Sequence, residues 1–153
     1  MRFHKQMNLG RIYKWLWGLC ILGLVFTGFG QLPIYSRYKL STLPGLKWSA
    51  DFYFTHALHE IFAFLLIALA VYAIVIWFFE RRPALSKAGF LRLVILAGIF
   101  ATGIVRVLKN FAGFYFSPNT LLVADIGHLG LAVVFLLAIA ITAALSKPWL
   151  KAG

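Results

Sequence analysis

The sequence predicts an all-α integral membrane protein: a four-helix bundle forming one membrane domain over residues 1–153, with both termini cytoplasmic. Composition and run length predict the class. Of 153 residues, 62% are hydrophobic and 12% are charged, whereas soluble domains are about half apolar and a quarter charged. The apolar residues fall in four runs, each long enough for a bilayer that needs about 20 residues. Lys and Arg set the orientation, since cytoplasmic flanks carry the excess. Arg2, Lys5, Arg11, Lys14, Arg81, Arg82, Lys87, Arg92, Lys147 and Lys151 lie on one side, against Arg37, Lys39, Lys47, Arg106 and Lys109 on the other.

Span one is expected over residues 13–32. It opens on Tyr13, Trp15 and Trp17, an interfacial aromatic belt, and stops at Pro33. It follows a basic start, as a signal peptide would, but no small-x-small cleavage site follows, so it reads as a retained span. Residues 33–52 form a basic, aromatic loop expected to lie on the membrane surface. Span two covers 53–79 and stops at Glu80-Arg81-Arg82-Pro83. A short loop then leads to span three, 89–109, so spans two and three read as an antiparallel hairpin. Residues 110–120 form an apolar, turn-rich link. Span four covers 121–145 and ends at Ser146-Lys147-Pro148.

Strand-like alternation is missing, which excludes a β-barrel. No GxxxG occurs, and no internal repeat is evident. Gly23, Gly28, Gly98, Gly103, Gly127 and Gly130 either let helices approach closely or leave room for a flat cofactor. The net charge of +11 flanks apolar runs rather than forming a soluble basic face, so nucleic acid is not an expected partner; membrane lipid is. Cys20 is the single cysteine, a small buried hydrophobe with no disulfide partner and no CxxCH for covalent haem attachment. Phosphate loops, HExxH and nucleophile elbows are missing too. Any chemistry must come from a cofactor.

The residues pointing to a cofactor are histidines inside hydrocarbon, where an ionisable group implies a function and a partner. His59 and His128 each sit about seven residues into their spans, roughly 10 Å below the helix start. Spans two and four run the same way, so the two imidazoles are expected at one depth in the outer half. Two such rings can ligate one haem iron axially, or each can be a buried polar group bonded across helices. His56, three residues before His59, is an alternative ligand, a propionate donor or an interfacial residue. His4 lies in the cytoplasmic tail, so at most one bis-histidine haem fits one chain. Arg106 and Lys109 share a face at the outer end of span three; they would hold haem propionates or snorkel to headgroups. Glu60 and Asp125 would orient a histidine, move a proton, or pair with these cations.

The chain resembles the di-haem cytochrome b subunits of formate dehydrogenase and related quinone-linked respiratory enzymes, within the bacterial cytochrome b561-like group. Four sparse motifs carry the resemblance: Arg11-Ile12-Tyr13-Lys14-Trp15 with Phe26-Thr27-Gly28-Phe29; Leu58-His59-Glu60-Ile61-Phe62-Ala63; Phe100-Ala101-Thr102-Gly103-Ile104; and Ile126-Gly127-His128-Leu129. The family's two inner-haem ligands fall on Lys14 and near Thr142, so the resemblance implies a one-haem version that keeps the outer pair. It implies a cytochrome b subunit of a bacterial inner (cytoplasmic) membrane. Such a subunit carries electrons through one haem b between the quinone pool and a periplasmic or other extracytoplasmic partner with iron–sulfur or multihaem centres. The partner would dock near residues 33–52 and 110–120. The family's quinone pocket lies by the inner haem and does not carry over. The rival expectations are a haem-free anchor of a respiratory complex and a stand-alone quinol oxidoreductase.

Overall fold

A computed structural model describes residues 10–79 and 84–150. His4, the span-two stop at Glu80-Arg81-Arg82-Pro83, and Arg2, Lys5 and Lys151 of the orientation count lie outside the described residues. Among those described, the chain is helical throughout, with one isolated bridge, Leu85 to Leu150, and no strand. Four helices are long and apolar enough to cross a membrane: α1 (Arg11–Gly30), α3 (Phe52–Phe79), α4 (Lys87–Leu108) and α5 (Pro118–Ala144). A short helix, α2 (Pro33–Arg37), follows α1. These are the elements of a multi-pass membrane protein. The helices belong to two compact units, divided between Arg82 and Pro83. The expected hairpin of spans two and three would turn at residues 80–83, outside the described residues.

In the first unit α1 and α3 pack antiparallel. Tyr13 Oη donates to the Leu69 carbonyl at 3.1 Å near one end, and Gly30 faces Thr55 near the other. Tyr13, expected in the interfacial belt, thus bonds to the neighbouring helix. Asp51 begins α3 as an N-cap: its Oδ1 accepts from the Phe54 amide at 3.1 Å, satisfying one of the orphan donors of a helix start. Residues 31–51, which take in nearly all of the surface loop expected over 33–52, form α2 and two 3-10 turns, Leu40–Thr42 and Lys47–Ala50. Tyr35 is buried beneath this segment, edge-on to Phe29 and hydrogen-bonded to the buried Ser49 hydroxyl. Trp48 packs on Phe26 and Phe54. The segment is therefore a folded cap on the hairpin.

In the second unit α4 and α5 are also antiparallel. Ser86 caps α4 by accepting from the Gly89 amide. Ser117 caps α5 by accepting from Thr120, with Pro118 at the first helical position. Span four therefore starts three residues earlier than expected, because Ser-Pro opens a helix as readily as it forms a turn. After α5, Ser146 adopts the left-handed conformation at φ 51°, and the Lys147 amide bonds back to the Thr142 carbonyl at 2.7 Å, a Schellman-type stop.

Each unit has a thin core. Cys20 and Leu66 are buried in the first, Ile95, Leu96 and Phe135 in the second. Large apolar side chains such as Leu22, Phe64, Val123 and Ile126 point outward and are more than half exposed. That exposure suits lipid rather than water.

Candidate functional site

The two expected histidines sit in the two hairpins, each facing a threonine of the neighbouring helix. In the first, Thr27 Oγ1 on α1 lies 2.9 Å from His59 Nδ1 on α3. In the second, Thr102 Oγ1 on α4 lies 3.1 Å from His128 Nδ1 on α5. Each hydroxyl also donates back along its own helix, Thr27 to the Gly23 carbonyl at 2.7 Å and Thr102 to the Gly98 carbonyl at 2.9 Å. The next residue in each case is a glycine against the ring. A Cβ on Gly28 would stand 3.2 Å from His59 Cε1, and one on Gly103 would stand 3.3 Å from His128 Cε1. His128 Nδ1 makes one further contact, 3.2 Å to the Ile99 carbonyl.

The correspondence extends along both hairpins. Adding 75 to a residue number on α1, and 69 on α3, gives its counterpart on α4 and α5. Gly23, which meets Phe62, maps onto Gly98, which meets Leu131, the counterpart of Phe62. Buried Cys20, Thr55 and Leu66 map onto buried Ile95, Ala124 and Phe135. Each hairpin carries an apolar groove on the far side of its histidine from the Gly-rich end. Leu16, Cys20, Leu65, Ala68 and Leu69 line the first. Their counterparts Leu91, Ile95, Val134, Leu137 and Ala138 line the second, together with Ile141 and Thr142.

The chain thus contains an internal repeat that the sequence reading did not find. Its shared signature is Gly-x-x-x-Thr-Gly on the first helix and one histidine on the second. The Thr-to-His separation is 32 residues in one copy and 26 in the other, because the cap at 31–51 is longer than the link at 109–117. A fixed-period comparison cannot register two copies whose helices are offset differently. Thr27 and Thr102 are the histidine partners that the sequence reading missed: each stood only within a family motif, and neither hydroxyl was paired with a histidine.

Above each histidine the repeat places a polar pair, and here the copies differ. His56 Nδ1 lies 3.2 Å from Gln31 Oε1, while Gln31 Nε2 donates to the Thr27 carbonyl at 3.2 Å. His56 Nε2 is 3.4 Å from Glu60 Oε1, and its ring stacks on Phe52. Gln31 and His56 map onto Arg106 and Asp125, whose Nε and Oδ1 are 3.0 Å apart. Lys109 Nζ stands 4.0 Å from the same oxygen. That oxygen is buried without an aligned hydrogen bond among the described residues, so its contact with the two cations is an ion pair. Arg106 and Lys109 do share a face, as expected, and Asp125 occupies it with them.

His59 is seven residues beyond the start of α3 and His128 ten beyond the start of α5, a difference of about one turn. The extra turn belongs to both helices of the second hairpin, since Thr102 is also further from the end of α4 than Thr27 is from the end of α1. Among the described residues no group of three or more His, Cys, Asp or Glu is placed to hold a bare metal ion. Comparison of the chain with protein-family models, with curated proteins and with solved structures finds no match.

Proposed function

We propose that this chain is a membrane cytochrome b subunit that carries electrons between the quinone pool and an extracytoplasmic redox partner, with His59 and His128 as the axial ligands of one haem b. One observation carries the reading: His59 and His128 hold the same position of a repeated frame, each with Nδ1 engaged by a threonine. Metal-bound histidines usually have the second ring nitrogen tied down in this way. Two imidazoles are too few for a bare ion, but they complete an iron already held by four macrocycle nitrogens. Gly28 and Gly103 let each ring lie close against the neighbouring helix of its own hairpin.

When bound, the haem supplies one-electron chemistry. The protein's own residues do the rest. Thr27 and Thr102 orient the rings. Arg106 and Lys109 outnumber Asp125 by one charge, which suits carboxylates at the polar end of the site. His56 and Gln31 offer polar contacts at the equivalent place in the first hairpin.

In this reading both termini are cytoplasmic, the membrane is a bacterial inner membrane, and both histidines lie in its outer half. A partner with iron–sulfur or multihaem centres docks on residues 33–52 and 110–120. A haem-free anchor would use the same hydrogen bonds only to satisfy polar groups in lipid. Sealed right-side-out vesicles containing the chain separate the two. A b-type absorption band reduced both by a lipid-soluble quinol and by an impermeant reductant added outside is expected. A colourless preparation would select the anchor.

A further inference from the structure

We infer that each Gly-x-x-x-Thr-Gly segment is a histidine cradle whose threonine acts as a positioning residue, fixing the ring as its Nδ1–H tautomer so that the ligating lone pair is on Nε2. The inference rests on the proposed haem reading for its purpose, but the hydrogen-bond accounting stands apart from it. A threonine hydroxyl has one proton and can accept as well. In both cradles that proton is engaged by the carbonyl four residues back, the usual habit of a helical threonine. The oxygen can then only accept from the imidazole, so Nδ1 carries the hydrogen. His128 gives an independent check: its Nδ1 also faces the Ile99 carbonyl at 3.2 Å, and a carbonyl has no proton to give. With Nδ1 protonated, a neutral ring has its lone pair on Nε2.

The glycine after each threonine completes the cradle. It lets Cε1 come against the α1 or α4 backbone, where any Cβ would fall inside the tight range of contacts. His128 Nδ1 faces the Ile99 carbonyl as well as its threonine, and His59 Nδ1 faces Thr27. Replacing either threonine should therefore disturb the ring that it holds.

The test uses the full chain in bilayers with nitrogen-15-labelled histidine, prepared with and without haem. Ring nitrogen shifts distinguish the two tautomers, and His59→Ala and His128→Ala assign the signals. The expected wild-type result without haem is an Nδ1–H signature for both residues. Thr27→Val should weaken it at His59, Thr102→Val should weaken it at His128, and Thr27→Ser should restore it. Haem affinity should fall by about 10- to 100-fold in Thr27→Val, the usual effect of removing such a support, and recover in Thr27→Ser. An Nε2–H signature in the wild type, or an unchanged His59 signature in Thr27→Val, would overturn the cradle. Expected tautomers in a chain that takes up no haem would instead overturn the haem reading and leave the cradle standing.

Discussion

Gly23 and Gly98 leave no room for a methyl group. A Cβ at Gly23 would lie 2.6 Å from the Phe62 ring, and one at Gly98 would lie 2.9 Å from the tip of Leu131. Overpacking of this kind costs about 1–3 kcal/mol. A leucine tip can rotate away, whereas a ring clamped between two helices cannot. Gly23→Ala should therefore lower the thermal unfolding midpoint in detergent more than Gly98→Ala does; equal midpoints would show that Phe62 moves as freely as Leu131. Both histidines stood out in the sequence because an ionisable side chain is conspicuous in an apolar run. The glycines were legible only as a class. Gly23 and Gly98 serve helix contact and Gly28 and Gly103 seat rings, while Gly130 meets nothing within 4 Å. Only tertiary partners separate these roles. The threonines were harder still, since a hydroxyl in a membrane helix bonds its own backbone whether or not it has a second task.

Among the elements, all four spanning helices lie within a few residues of expectation, because run length and the Ser, Asp and Pro signals act locally. The carboxy-terminal segment was not foreseen. It folds back over the start of α4: Ser86 Oγ donates to the Pro148 carbonyl, the Ser86 amide donates to the Trp149 carbonyl at 2.9 Å, and the Arg92 guanidinium lies 4.3 Å from the Trp149 ring centroid. Arg92 was counted as one more flanking charge, yet it is 5% exposed and donates to the Ala88 and Lys147 carbonyls. Composition cannot tell a snorkelling arginine from one enclosed by its own tail. A Cβ at Gly89 would meet the Trp149 carbonyl oxygen at 2.0 Å, and backbone cannot rotate aside. Gly89→Ala should release the tail and free the Ser86 amide from the Trp149 carbonyl, so that this amide exchanges hydrogen several-fold faster in detergent than in the wild type. Trp149→Ala should act in the same direction but more weakly, since a cation–π contact contributes only about 0.5–2 kcal/mol. An unchanged exchange rate at the Ser86 amide in Gly89→Ala would mean that the clasp does not hold in solution.

At the scale of the whole molecule, the chain is two variations on one helical hairpin, each with its own histidine. The repeat was hidden by unequal connecting segments, and only contacts between helices brought it out. Because both hairpins begin with the same kind of helix, α1 and α4 should cross the membrane in the same direction, as the Lys and Arg distribution also predicts. Cys20 is buried and is the one cysteine of the chain, so a Cys20→Ser background permits direct mapping. In intact cells an impermeant maleimide should label Lys39→Cys, and should label Lys87→Cys only after permeabilisation. The opposite pattern would invert the topology and put both histidines in the inner half. Haem quantified per purified chain, in the wild type and in His59→Ala and His128→Ala, bears most directly on the central claim. The account predicts about one b-type haem per chain, with its reduced-minus-oxidised spectrum lost in either variant. Two haems per chain, or a spectrum that survives both substitutions, would contradict it.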